Sequence, residues 1–314
     1  MSASRLPTED DIGSWHLDDM VGDGRSGTVY AVHETVPPYR EGALKLHRGI
    51  GVQATEEEFL AEVRFSEGSV IREYRLPVLD RGTWDGSPYY VMPFAVKIRI
   101  GLGLRQFCKI ALRLVRCCAE LHDEGYVHCD IKPDNVRLFA GEAVLLDYCC
   151  LHKTEEAKRR PERVGSWRYM APEVRDKRCL DERADVYSLA VTLYAFGSDK
   201  VRRIFGPALL HAMENDPNKR TPSMNRFFEE LVECKRRYAK STLAYRIAAA
   251  LAGFALIVII VMEVFEARLE DTIIDRDKEL IRRQIYRKAA AYEKHIGDAE
   301  NARRNEAIAH GVLD

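Results

Sequence analysis

Residues 243–262 run for twenty positions with a single charge, Arg246, close to one end. As an α-helix rising about 1.5 Å per residue the run is about 30 Å long, which matches the hydrocarbon thickness of a bilayer. Residues 247–262 hold no charge at all and are apolar on every helical face, so this helix has no polar stripe to turn toward water. The run therefore divides the chain into a long segment before it and a short one after it. Lys235, Arg236, Arg237, Lys240 and Arg246 crowd the first flank, and Glu263, Glu266, Glu270 and Asp271 dominate the second. Segments facing the cytoplasm are enriched in Lys and Arg, so the expectation is a single-pass plasma (inner) membrane protein. Its long segment is cytoplasmic and its C-terminus outside; Arg246 can snorkel to the headgroups.

Cysteine usage agrees with that orientation. All eight cysteines precede the apolar run, where a reducing compartment keeps them as thiols. Cys117-Cys118 and Cys149-Cys150 are adjacent pairs with poor disulfide geometry, and no CxxC spacing suggests zinc. The expected role for most is that of a small buried hydrophobe. A net charge of −1 leaves no basic excess to displace counterions, which argues against a nucleic-acid partner. Residues 1–7 are polar and hold no apolar targeting segment, so insertion is expected through the later span.

Within the long segment, His128-Cys129-Asp130-Ile131-Lys132-Pro133-Asp134-Asn135 sets a carboxylate, an ammonium and a carboxamide two and then three residues apart. Such a set can orient and deprotonate a hydroxyl, neutralise a phosphate in flight and hold a magnesium ion. Upstream, Gly22, Gly24 and Gly27 form a glycine-rich turn whose bare backbone can lie over phosphates. A lone GxGxxG is weak, since dinucleotide-binding folds share it, but here it runs into the β-rich Thr28-Val29-Tyr30-Ala31-Val32 and not into a helix. Ala43-Leu44-Lys45 reads as a strand, residues 56–65 as an acidic amphipathic helix containing Glu62, and Leu145-Leu146-Asp147 as a strand end. Ala171-Pro172-Glu173 follows.

In that order, these motifs make residues 15–232 resemble the eukaryotic-like (Hanks-type) serine/threonine protein kinases of bacterial type. The resemblance implies an α+β, bilobal fold: a β-rich N-lobe with one helix over residues 15–95 and a helical C-lobe over 96–234. It implies Lys45 on the α- and β-phosphates of ATP and paired with Glu62, Asp130 as acceptor of the substrate proton, and Lys132 on the γ-phosphate. Asn135 and Asp147 would hold Mg2+. Val29 and Ala43 would cover the adenine, with Met92 as gatekeeper, the Pro93 carbonyl as hinge acceptor and the Ala95 N–H as donor. Proline is tolerable at 93 because it keeps its C=O. Lys132 and residues 165–173 resemble the Ser/Thr-specific branch, so the implied substrate is a protein Ser or Thr. There the Ser166 hydroxyl would bridge Asp130 and Lys132, Glu173 would pair with Arg220, and Asp185 would cap the catalytic loop.

The sequence departs from the family in four places. Cys149 replaces the glycine after Asp147-Tyr148, and a side chain there restricts how the following segment can swing. Cys129 replaces an arginine that receives an activation-segment phosphate, and Thr154 is the one Ser or Thr between Asp147 and Ser166, so activation without that phosphate is expected. Ser66 stands where a large apolar residue usually backs Glu62, which predicts a looser helix. Residues 197–215 are short for the family, which predicts abbreviated peripheral helices.

The remaining expectations are a flexible N-terminus over 1–14, a basic juxtamembrane linker over 235–242, the membrane helix over 243–262, and a charged helical tail over 263–314. Ile274, Ile281, Ile285, Tyr292 and Ala299 fall near one face of that tail and could pair two copies as a homodimer, though Lys288 and His295 interrupt the seam. His295 and His310 read as solvent-exposed. The alternative to an active kinase is a pseudokinase, a nucleotide-binding or scaffolding module in which Cys149 has cost turnover. A small-molecule kinase shares part of the chemistry, but the Ala171-Pro172-Glu173 segment points to proteins.

Overall fold

The computed structural model describes residues 11–49, 52–68, 75–159, 165–177, 180–296 and 299–311. It divides into two units, Met1–Ala239 and Lys240–Asp314.

The first unit opens with an antiparallel sheet of six strands in the order β1-β2-β3-β4-β6-β5. The strands are β1 (Asp11–Ile12), β2 (Trp15–Gly24), β3 (Gly27–Glu34), β4 (Glu41–Leu46), β5 (Asp80–Trp84) and β6 (Ser87–Pro93). Trp15, Leu44, Leu46 and Val91 are buried on one side, and Trp15 donates its indole N–H to Asp80 at 2.9 Å. Ile12 is buried as well, so ordered sheet begins inside the stretch expected to be a flexible N-terminus. The β2–β3 turn lies between Gly24 and Gly27. At Gly27, with φ of +147°, a Cβ would stand 2.3 Å from the Leu46 carbonyl oxygen, so only glycine fits there.

Helix α1 (Glu56–Glu67) begins with a capping box: Thr55 accepts from the Glu58 N–H while Glu58 accepts from Thr55. Three glutamates in its first turn suit the positive end of the helix dipole. Phe59 and Val63 then bury against Ala43, Tyr90 and Met92, which turns Glu62 toward β4.

The lower part is helical. Helix α2 (Leu104–Asp123) buries Phe107, Ile110, Ala111, Leu114, Cys118 and Leu121, the i, i+3, i+4 stripe of a core helix. It packs on α5 (Glu182–Phe196) and α6 (Asp199–Ala212). β7 (Val96–Lys97) precedes α2, and between α2 and α5 come β8 (Tyr126–Val127), the hairpin β9 (Val136–Phe139) and β10 (Glu142–Leu145), β11 (His152–Lys153), α3 (Thr154–Arg159) and α4 (Pro172–Arg175). The 197–215 stretch holds the single helix α6. Helix α7 (Met224–Ile296) starts by burying Met224, Phe227 and Leu231 in the same core.

Among the described residues one helical segment, Met224–Leu269, is long and apolar enough to cross a membrane. Its most apolar eighteen-residue window has a mean hydropathy of 2.7, and none of that window is buried. In the second unit, among the described residues of α8 (Ala299–Ala309) and the end of α7, the buried ones are small: Ala290, Ala302 and Ala309. Of the expected tail seam, Ile281 and Ile285 are exposed, whereas the side chains of Ile274, Tyr292 and Ala299, like that of His295, lie outside the described residues.

Candidate active site

A cleft of about 620 Å³ lies between the six-stranded sheet and the helical part. It is lined by Gly22, Gly24, Gly27, Val29, Ala43, Lys45, Met92, Pro93, Ala95, Asp130, Lys132, Asn135 and Asp147, which are all but two of the residues expected to form the nucleotide, metal and substrate sites. The remaining two, Glu62 and Ser166, bond to lining residues from behind. No Cβ at Gly22 or Gly24 would meet anything within 4 Å, so the loop leaves open space there.

On the sheet side, Lys45 Nζ donates to both Glu62 oxygens, at 3.0 and 2.7 Å, and to Asp147 Oδ1 at 3.0 Å. Burial would lower the Lys45 pKa, but the Asp147 and Glu62 carboxylates outweigh it and hold the ammonium well above its ordinary range. Burial likewise raises Asp147, yet the Lys45 charge and hydrogen bond bring it down to about 2. Glu62 is held from three more directions: the Tyr90 hydroxyl at 3.0 Å, the Tyr148 N–H at 3.2 Å and the Cys149 thiol at 3.2 Å. Ser26, from the glycine-rich turn, reaches Asp147 Oδ1 at 3.1 Å. Sequence reasoning missed Ser26, Tyr90 and the Cys149 contact; for Tyr90 the available signal is its position directly opposite Lys45 in the β4–β6 ladder.

On the helical side, Lys132 Nζ donates to Asp130 Oδ2 and to Ser166 Oγ, both at 2.7 Å. The Asn135 amide N–H groups reach Asp130 O at 2.9 Å and Oδ2 at 3.1 Å, which leaves its carbonyl oxygen for another partner. Ser166 bridges Asp130 and Lys132, but not by its hydroxyl alone as expected: the Asp130 contact is the Ser166 backbone N–H, at 2.7 Å. Next to it, a Cβ on Gly165, with φ of +96°, would stand 2.1 Å from the Cys129 carbonyl oxygen, so a glycine brings this segment against the catalytic loop. Behind the loop, buried Asp185 accepts from the His128 N–H at 2.7 Å, the Cys129 N–H at 2.9 Å and His122 Nε2 at 2.9 Å. Burial opposes its charge, and the His122 hydrogen bond leads the interactions that hold its pKa below the ordinary 3.8.

Two departures look different in three dimensions. The looser α1 predicted from Ser66 is corrected by its neighbour: Phe65 packs on Tyr148 at 4.9 Å between ring centroids, His128 lies on the other side of Tyr148 at 5.2 Å, and Arg75 stacks over Phe65. Cys149 sits in a right-handed one-turn helix, Tyr148–Cys150, and the left-handed torsion falls on Asp147, with φ of +63°. A side chain at 149 is therefore accommodated in this arrangement. Burial, then Glu62, pushes the Cys149 thiol far above its usual range, and burial raises Cys129 and takes Cys150 to about 12, so these thiols stay protonated.

A nucleotide and a hard divalent cation fit the donor set: an ionised carboxylate at Asp147, a carboxamide oxygen at Asn135 and an ammonium at Lys45. The Leu146 N–H donates to the Asn135 backbone carbonyl at 2.8 Å, which ties the strand end before Asp147 to the loop carrying Asn135.

Comparison with known proteins agrees with this geometry. Residues 95–205 match the protein kinase domain family. The chain is 26% identical over 203 residues to the serine/threonine-protein kinase PknH of Mycobacterium tuberculosis, covering 58% of this chain and 31% of that protein. It is 29% identical over 197 residues to the DNA damage-responsive serine/threonine-protein kinase RqkA of Deinococcus radiodurans, covering 58% and 29%. A shorter match, 34% over 104 residues, is to the probable serine/threonine-protein kinase gdt9 of Dictyostelium discoideum, covering 31% and 7%. The chain thus spans about a third or less of the length of these relatives. The matched segment, residues 95–205, holds Asp130, Lys132, Asn135 and Asp147, so these four residues lie in a protein kinase domain similar to those of serine/threonine kinases.

Proposed function

We propose that this chain is a membrane-anchored kinase that transfers the γ-phosphate of Mg-ATP to serine or threonine hydroxyls of proteins, with the kinase domain cytoplasmic and the C-terminus outside. The observation that carries the reading is the meeting of two polar clusters in one cleft: Lys45–Glu62–Asp147 from above and Asp130–Lys132–Asn135–Ser166 from below. ATP with its divalent cation supplies the phosphoryl group and screens its charge. Lys45, fixed by Glu62, would grip the α- and β-phosphates; Asn135 and Asp147 would hold the metal. Asp130, oriented by Lys132, Asn135 and the Ser166 N–H, would point the substrate hydroxyl and take its proton, while Lys132 would face the γ-phosphate. Val29, Ala43 and Met92 would enclose the adenine, the Pro93 carbonyl and Ala95 N–H would read its edge, and Gly22, Gly24 and Gly27 would cover the phosphates.

Activity independent of an activation-segment phosphate is part of the reading. Its support is that Cys129 is buried among Cys150, Met170 and Ala171 and has no cation to offer, while Thr154 is buried too. Membrane orientation rests on the flanking charges, and the tail over 263–314 would serve pairing or partner contact.

The test is incubation of the purified full chain with labelled ATP and a general protein substrate, with Asp130→Asn as control. Label transferred by the wild type and reduced about 10²–10⁴-fold in the variant is the expected result. Nucleotide binding with no difference in transfer would overturn it.

A further inference from the structure

A second polar site lies in the kinase domain away from the cleft, where α2 meets the start of α7. The groove is lined by Arg105, Lys109, Arg113, Arg116 and Lys235, against one carboxylate, Glu142. Arg105, Lys109, Arg116 and Lys235 are exposed, and α2 places the first three on one face by their i, i+4 and i+11 spacing. Lys109 is braced by Glu142 at 2.8 Å and by the Gly141 carbonyl at 2.9 Å; Arg116 lies over the Phe228 ring at 4.9 Å. Five cations around one concave surface form a local field that the chain's net charge of −1 does not reveal.

We infer that this groove binds the anionic phospholipid headgroups of the membrane that anchors the chain, so that the kinase domain docks its α2 face on the bilayer. The inference rests on the membrane-anchored reading above. Two observations select a lipid surface as occupant. The first is charge: such a surface attracts basic residues by about 1 kcal/mol each, about fivefold in binding per Lys or Arg. The second is tethering. Lys235 belongs to the groove and precedes the apolar run by eight residues, so even a fully extended connection would hold the groove within about 29 Å of the point of membrane entry. At that range the headgroups reach the groove at a high effective concentration. None of the groove residues belongs to the catalytic cleft, so docking would position the domain without entering the chemistry.

The test reconstitutes the full chain in nanodiscs of phosphatidylcholine with or without phosphatidylglycerol and follows lysine acylation by mass spectrometry. Lys109 and Lys235 are expected to label several-fold more slowly in the phosphatidylglycerol discs, with exposed Lys219 unchanged as internal control and the difference abolished by high salt. Removing two exposed cations, Arg105→Gln with Lys235→Gln, is expected to weaken docking about 30-fold and return Lys109 to its rate in neutral discs. Equal labelling in both discs, with the chain fully inserted, overturns docking and leaves the membrane reading intact. Protection produced in neutral discs by inorganic phosphate assigns the groove to free phosphate and overturns the lipid surface. A chain that co-purifies with neither disc overturns both.

Discussion

Two buried ion pairs in the kinase domain have the same exposure and opposite designs. Lys45 and Glu62 are 4% and 0% exposed; Arg220 and Glu173 are 0% and 4%. Arg220 grips Glu173 through two hydrogen bonds, at 2.6 and 2.8 Å, and directs its other N–H groups at the backbone carbonyls of Glu214 and Arg183, so the pair is neutral and sealed. Lys45 instead faces two carboxylates, and the second, Asp147, is 28% exposed and borders the cleft. One cation among two acids leaves the cleft pair with a surplus negative charge that a bound cation can use. Burial alone therefore does not separate an anchor from a working site; the saturation of the remaining donors and acceptors does.

The comparison breaks most sharply at Arg220. Among the described residues Glu173 has no hydrogen-bond donor other than Arg220, so Arg220→Met strands a buried carboxylate and is expected to cost about 3–5 kcal/mol of stability. The double variant Arg220→Met/Glu173→Leu should recover most of it in chemical denaturation, because it removes both charges. If the double variant is no more stable than the single, the pair is not the self-contained anchor described here.

Lys45→Met should show the opposite profile. Glu62 keeps the Tyr90 hydroxyl, the Tyr148 N–H and the Cys149 thiol, so the stability loss should be less than half of that for Arg220→Met. Phosphate transfer is expected to fall about 10²–10³-fold, the usual effect of removing a preorganised charge from a reaction centre. Denaturation midpoints and transfer rates measured on the same preparations check both halves.

Asp185 lies between these extremes, an anchor whose partners are loop N–H groups. Its pKa is depressed on folding, so it contributes stability that is fully present above the ordinary value of 3.8 and lost as pH falls through its lower folded value. Asp185→Asn should cost about 1.5–3 kcal/mol near neutrality, as for hydrogen bonds to a charged group. The difference in melting temperature between the two proteins should hold constant down to about pH 5 and narrow only in stronger acid. A gap that shrank already near neutrality would assign the effect to a histidine.

What the chain reveals before folding follows from distance along it. Asp130, Lys132 and Asn135 are legible because six consecutive residues of one loop hold all three, and the strand readings of β3 and β4 and the amphipathic pattern of α1 follow local rules. Lys45 pairs with Glu62, and Asp147 reads as a metal ligand, only through family order, and the Lys45–Asp147 contact has no sequence signal, since nothing local ties positions 17 and 102 residues apart. The illegible parts are substitutions compensated elsewhere. Ser66 removes an apolar side chain, and Phe65, one position earlier, supplies it because the end of α1 turns that ring onto Tyr148. The Ser166 bridge runs through a backbone N–H, which every residue but proline carries, so no residue type could announce it. His122 meets Asp185 across 63 residues and offered no signal beyond its place at the end of α2.

The smallest expected effect concerns Cys149, which supports the cleft pair from beside it. Cys149 donates its thiol to Glu62 Oε2, a bond that a glycine in its place could not make. Cys149→Gly removes that donor and frees the backbone, and both changes loosen Glu62; together they are worth about 1 kcal/mol, or about fivefold in rate. Cys149→Ser keeps a donor on a shorter side chain and should lie between wild type and glycine. Because the thiol is held protonated, the wild type should also resist alkylation at neutral pH, with transfer unaffected by brief exposure to iodoacetamide. Transfer rates in the order wild type, serine, glycine would make the thiol a support for Glu62. A glycine variant faster than wild type would instead make Cys149 a brake on the segment that follows Asp147, and the extra hydrogen bond a consequence of crowding.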